Sequence, residues 1–148
     1  MIRHMAAALL AATMASGARA DDRGLVSVTS PFGMDDTVSH LESAIRAKGL
    51  KLFAVIDHAG EARAAGLALR PMKLLVVGNP TAGTPLMQHE PTVGIDLPMK
   101  LLVWERAPGQ VSVTWNDPAY LVRRHELPKD DEATFAAIGN LAAQALKP

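Results

Sequence analysis

Alternating apolar and polar positions divide the chain into short elements. Leu25 to Thr29 sets Val26 and Val28 against Ser27 and Thr29, the two-residue period of a strand with one wet face. Pro31 and Gly33 break that strand. From Asp35 to Lys48 the period lengthens, with Val38, Leu41 and Ile45 on one helical face, Asp35 or Asp36 available as a cap, and Gly49 at the left-handed C-terminal position. This helix turns His40 away from its apolar stripe. Leu50 to Ile56 and Met72 to Val77 are near-continuous apolar runs, as expected of central strands buried on both faces or covered by helices. Lys100 to Arg106 and Gln110 to Asn116 read as a hairpin turning at Pro108 and Gly109, with Val111, Val113 and Trp115 on one face.

Beyond Pro128 the chain predicts a closing helix. Asp130, Asp131 and Glu132 lie in its first turn, Phe135, Ile138, Ala142 and Ala145 form its stripe, and Lys147 stands at its end. Gly78 to Pro98 is the least regular stretch, its prolines at 80, 85, 91 and 98 permitting only short helical turns or extended pieces. The order of elements predicts an α/β fold of the α+β type, a single mixed, largely antiparallel sheet packed against helices.

The first 20 residues do not belong to that pattern. Arg3 and His4 precede an apolar segment from Met5 to about Met14, and Ala18-Arg19-Ala20 follows, which predicts a secretory signal peptide over residues 1–20 cut after Ala20. The apolar core is shorter than the roughly 18–20 residues of a spanning helix, and nothing later in the chain could span a bilayer. Residues 21–148 are then a single globular domain, expected in the periplasm, at a size where domains commonly hold about 100–150 residues. Without Arg3 and Arg19 the basic residues number 13 against 15 acidic ones, a formal charge of −2. That weak field does not favour nucleic acid. The chain has no cysteine, which excludes disulfides, thiolate metal sites, covalent c-type haem and thiol nucleophiles.

Val55 to Leu69 (VIDHAGEARAAGLAL) joins an apolar run to an alanine-rich one at Asp57-His58. Either Asp57 caps a short helix with His58 in its first turn, or His58 is the cap with Glu61 three residues on. In both cases His58 meets the positive end of the helix dipole, which biases the ring toward its neutral form. The structural alternative is a histidine that only caps a turn. Gly78-Asn79-Pro80-Thr81 fits an N-cap followed by the first helical position, and backbone N–H groups exposed there could hold an anion. No P-loop or G-x-G-x-x-G accompanies it, so nucleotide binding has no support.

Met87 and His89, with Met34, Met72 and Met99, suggest a copper reading, but without a repeated Met-x-x-Met or His-x-His spacing methionine more often fills core gaps. Asp96 and Lys100 could pair across a turn or face a ligand, with an ion pair the simpler assumption. No serine has the G-x-S-x-G surroundings of a hydrolase nucleophile. Trp104, Trp115 and Tyr120 could line an apolar cleft, although strand aromatics usually pack beneath helices.

In sum these residues resemble one family, the domain of unknown function 302. The resembling features, in order, are Phe32-Gly33, Ile56-Asp57-His58-Ala59, Gly78-Asn79-Pro80 with Gly83-Thr84-Pro85-Leu86-Met87, Asp96-Leu97-Pro98-Met99-Lys100 ahead of Trp104, and Asn116-Asp117-Pro118-Ala119-Tyr120-Leu121. They span Gly24 to about Leu146. The resemblance implies a compact α/β domain with antiparallel pairings, a dimer in some members, and no established reaction. Trp115 stands where many members carry Tyr, and Val77-Gly78 replaces a more usual Phe-Gly. The first change loses a hydroxyl and would weaken a site that relied on it.

The leading expectation is a periplasmic ligand-binding or accessory module without catalysis of its own, with no assigned cofactor or metal. Its candidate ligand residues are His58, Asn79, Thr84 and Met87, together with Asp96 and Lys100, placed where loops leave buried strands. One alternative is a small enzyme using His58 as general base, and another is the His/Met copper protein. A homodimer is a possible partner arrangement, and a small molecule a possible ligand.

Overall fold

The computed structural model describes residues 20–148, so the predicted signal peptide lies outside the described residues apart from Ala20. Five strands run β1 (Leu25–Thr29), β2 (Lys51–Asp57), β3 (Met72–Gly78), β4 (Met99–Ala107) and β5 (Gln110–Asn116). They form one sheet in the order β1-β5-β4-β3-β2, and each neighbouring pair is antiparallel. The helices are α1 (Met34–Ala47), α2 (His58–Ala64), α3 (Pro80–His89), α4 (Pro118–Arg124) and α5 (Glu132–Ala145), with 3-10 turns at Pro91–Ile95 and Lys129–Asp131.

The strand register sorts the apolar residues onto two faces. Leu75 opposes Leu101, Val77 opposes Met99, and Val103 opposes Val113, all buried beneath helices. Val38, Leu41 and Ile45 of α1, Leu86 of α3, Leu121 of α4, and Phe135, Ile138 and Leu141 of α5 complete that one core. The intervening residues point the other way, because side chains alternate along a strand. Met72 opposes Trp104 and Leu74 opposes Leu102 there, half-buried and outside the core cluster. Three hydroxyl and indole groups close a chain on that second face, with Trp104 Nε1 donating to Thr114 Oγ1 at 2.9 Å and Thr114 bonded to Ser27 Oγ at 2.7 Å.

Several expectations need correction. β4 is the middle strand, β3 lies next to the edge strand β2, and Phe53, Val55 and Ile56 of β2 are exposed. An apolar run reads as central whether or not anything covers it, and here the core cluster takes up only one face. Gly33, not Asp35 or Asp36, stands at the N-cap of α1, and the two aspartates sit in its first turn. Gly78 to Pro98 is more regular than its prolines suggest: Pro80 opens the ten-residue α3, whose missing donor is harmless at the first position, and Pro85 lies inside it. Asp130 and Asp131 belong to a 3-10 turn, and only Glu132 starts α5. Helix α4 has the same Asp/Asn-Pro start as α3, with Asp117 accepting from Tyr120 N–H at 3.0 Å, and the periodicity reading passed over it.

Other readings hold. The hairpin turns at Pro108-Gly109 between the paired Ala107 and Gln110, where Gly109 takes φ +76°, a left-handed conformation that suits glycine. His40 is exposed and stacks on Phe32 with ring centroids 4.2 Å apart. The three aromatics form no common cleft. Trp115 is buried under α5, Trp104 faces the opposite side of the sheet, and Tyr120 packs against Gly24.

Gly139 marks the closest approach of helix and sheet: a Cβ there would lie 2.7 Å from Trp115 Nε1. Alanine gains about 1 kcal/mol of helix propensity over glycine, but forcing atoms into a packed core costs about 1–3 kcal/mol. Gly139→Ala is therefore expected to destabilise the fold by up to about 2 kcal/mol, read as a lower urea midpoint at unchanged slope.

Candidate functional site

The carboxyl end of β3 opens into an apolar cleft. Its walls are Phe53 of β2, Gly78 and Asn79 after β3, Thr84 and Met87 of α3, and Leu97 and Pro98 ahead of β4, around about 270 Å³. A smaller lobe of about 140 Å³ shares Gly78, Asn79, Gly83 and Leu97 and reaches Ile138 of α5. Three expected residues, Asn79, Thr84 and Met87, thus meet in one place. Phe53, Leu97 and Pro98 were not anticipated as lining, because Phe53 lies on β2 and the adjacent Leu97 and Pro98 precede β4, and only the strand register brings the two segments together.

His58 does not join them. β2 pairs Lys51 with Gly78 and Asp57 with Lys73, so His58 stands at the opposite end of β2 from the cleft, about 17 Å along the strand from Phe53 at ~3.3 Å per residue. Asp57 is the cap of α2, its carboxylate accepting from Gly60 N–H at 2.8 Å, and His58 is the first helical residue. The half-buried ring makes no side-chain hydrogen bond among the described residues. The anion reading of Asn79 also fails. Its side chain accepts from Thr81 N–H at 3.0 Å, its carbonyl accepts from Ala82 and Gly83, and Pro80 has no N–H, so the first turn of α3 offers no free donor.

Asp96 and Lys100 meet through the Asp96 backbone and not as the expected ion pair. Lys100 Nζ donates to the carbonyls of Asp96 at 3.0 Å and Ile95 at 3.4 Å, and does not meet the Asp96 carboxylate as a salt bridge. Burial of its ammonium pulls the Lys100 pKa down, partly offset by the charge of Asp96. The Asp96 carboxylate instead takes His125 Nε2 at 2.6 Å, both side chains being buried, with Arg124 Nε 3.6 Å away.

A chain of groups continues outward from His125. Nδ1 lies 3.1 Å from Thr92 Oγ1, whose hydroxyl donates to Glu90 at 2.7 Å, while Thr92 N–H donates to the same carboxylate. The Asp96 carboxylate can only accept, so His125 Nε2 is the donor in that bond. Glu126, which follows, takes φ 52° at the end of α4, a place where glycine is usual. No local signal announces His125: it is 29 positions from Asp96, and only the fold joins them. The methionines of the copper reading are likewise dispersed, with Met72 and Met99 at opposite ends of the β3–β4 ladder and Met99 in the core. Among the described residues no three His, Asp or Glu side chains gather at one point.

These features define a class: a one-sheet α+β domain with an apolar cleft at the end of β3 and a buried Asp-His pair behind it. The family model described as "Domain of unknown function DUF302" matches residues 26–145, and the chain belongs to that family. A crystal structure of an uncharacterized conserved protein DUF302 from Bacillus stearothermophilus shares the fold, with a TM-score of 0.71 at 24% identity over 83% of this chain and 95% of that one. Curated relatives are longer. The protein named fluoride-specific ion channel FluC 1 of Brucella suis biovar 1 is 39% identical over 117 residues, 79% of this chain and 46% of that protein. FluC 1 of Brucella abortus biovar 1 gives 39% over 117 residues and 43% of its length, so the chain spans less than half of these relatives.

His125→Ala strands a buried carboxylate and is expected to cost about 2–4 kcal/mol, whereas His58→Ala stays within about 1 kcal/mol; chemical denaturation of the pair checks the contrast. The Thr92 hydroxyl and N–H, helped by the charges of His125 and His89, hold the Glu90 carboxyl below its ordinary value of 4.5. A lowered acid contributes stability above its unfolded value and loses it as pH falls through the folded one. Melting temperatures taken from about pH 5 down to about pH 3 should fall less steeply for Glu90→Gln than for wild type.

Proposed function

We propose that the mature chain is a periplasmic binding or accessory module without catalysis of its own, whose ligand occupies the cleft between β2, α3 and the approach to β4. The observation that carries this reading is the cleft itself, which gathers Asn79, Thr84 and Met87. At about 270 Å³ it is near the small end of the range of ligand sites, about 300–1,000 Å³. With the α3 first-turn donors already engaged, its chemistry suits a small uncharged molecule with an apolar body. His58, the one candidate general base, lies away from it, which supports binding over catalysis.

The accessory side of the proposal draws on the Brucella relatives, which carry the matching region within longer proteins named as fluoride channels. No helix among the described residues is long and apolar enough to cross a membrane. In this reading the domain acts beside an anion-handling membrane partner and supplies no conducting helix.

Native mass spectrometry of the chain taken from the periplasmic fraction tests the proposal. Expected are a chain beginning at Asp21 and a reproducible added mass, kept in His58→Ala and lost in Thr84→Trp, whose indole fills the cleft from an exposed position. A bare wild-type chain that also takes up no apolar probe would remove the ligand reading. Unchanged fluoride tolerance in cells lacking the chain would remove the accessory one.

A further inference from the structure

The face of the sheet turned away from the core changes character across its width. Leu74 and Leu102 lie on it at β3 and β4, whereas β1 and β5 place Ser27 opposite Thr114 and Thr29 opposite Ser112. Beside these hydroxyls, at the hairpin end, a groove of about 560 Å³ is lined by Ser27, Thr29, Arg106, Gln110 and Ser112. That volume falls inside the range of ligand sites, about 300–1,000 Å³. The groove shares no residue with the cleft beside α3.

Ser112 is the residue that its surroundings leave incomplete. The two β5 hydroxyls on this face, Ser112 and Thr114, are only 7% and 8% exposed. Thr114 Oγ1 is engaged, accepting from Trp104 Nε1 and bonded to Ser27 Oγ. Ser112 Oγ has no hydrogen-bond partner among the described residues. Since no side-chain oxygen shut off from the surface lacks a partner there, the Ser112 hydroxyl opens into the groove that the residue lines. Polar groups this deeply placed are normally paired, and a ligand oxygen in the groove would complete this one.

The charge in the groove comes from Arg106. Its guanidinium lies 5.2 Å from the centre of the Trp104 ring, and the bond to Thr114 fixes that indole in turn. Stacking on an aromatic face orients a guanidinium without using its N–H groups. Arg106 makes no salt bridge among the described residues. The neighbouring Glu105 carboxylate is turned to the hairpin, where it accepts from Gly109 N–H. A guanidinium held in this way is matched by a carboxylate from outside, through two parallel N–H···O bonds. The rest of the lining both donates and accepts, through the hydroxyls of Ser27, Thr29 and Ser112 and the amide of Gln110. Hydroxyl groups on the ligand answer both roles, whereas an apolar acid would leave these groups unpaired.

We propose that this groove binds a small hydroxylated carboxylate, a sugar acid, with its carboxylate on Arg106 and its hydroxyls on Thr29, Gln110 and Ser112. The site is independent of the cleft, and its ligand is of opposite character to the uncharged, apolar one proposed there.

Isothermal titration of the chain with gluconate tests the proposal, with hexanoate and sorbitol as probes that keep only the charge or only the hydroxyls. Gluconate should bind, and each of the other two at least about tenfold more weakly. Arg106→Gln should weaken gluconate by about tenfold or more and Ser112→Ala by about two- to tenfold, both with an unchanged circular dichroism spectrum. Added salt should weaken gluconate in the wild-type chain. Thr84→Trp, which fills the cleft, should leave gluconate binding as it was, so the two sites succeed or fail separately. Absence of gluconate binding at millimolar concentration, equal binding of hexanoate or sorbitol, or full binding by the Arg106→Gln chain would each overturn the proposal. Inorganic phosphate binding as tightly as gluconate would overturn it too, since phosphate needs only the arginine.

Discussion

The sheet of this domain is committed to one helical layer, and the register of β3, β4 and β5 decides what that layer covers. Leu75, Val77, Met99, Leu101, Val103, Val111 and Val113 all fall on the same side, where α1, α3, α4 and α5 deliver their apolar stripes. A slip of one residue in any of these pairings would turn that strand's buried set outward. The cleft depends on the same register, because Gly78 reaches the end of the sheet beside Lys51 and Phe53 only when Val77 pairs with both Leu52 and Met99.

Elements with a periodic pattern were legible in the sequence, and the arrangement of those elements was legible only in part. The alternation at Val26 and Val28, the α1 stripe through Val38, Leu41 and Ile45, and the Pro108-Gly109 hairpin state their own geometry locally. Strand position is different. Leu50 to Ile56 and Met72 to Val77 look alike as strings, yet one run becomes an exposed edge and the other lies one strand further in. Nothing in either run records its neighbours. Of the site, Asn79, Thr84 and Met87 were visible because a cap, a proline and a short helix fix them together, while His58 was assigned to the same end of the sheet although β2 carries it to the other.

The buried Asp96-His125 pair gives the cleft its backing. Asp96 closes the 3-10 turn that follows α3, and Leu97 and Pro98 come directly after it. The segment from Glu90 to Asp96 therefore connects one wall of the cleft, through Met87, to the other. His125 holds its far end through Asp96 and its near end through Thr92, so a single ring at the C-cap of α4 ties both ends of that segment. Such a contact acts through what it positions, because it joins two points of one segment to the end of a separate helix.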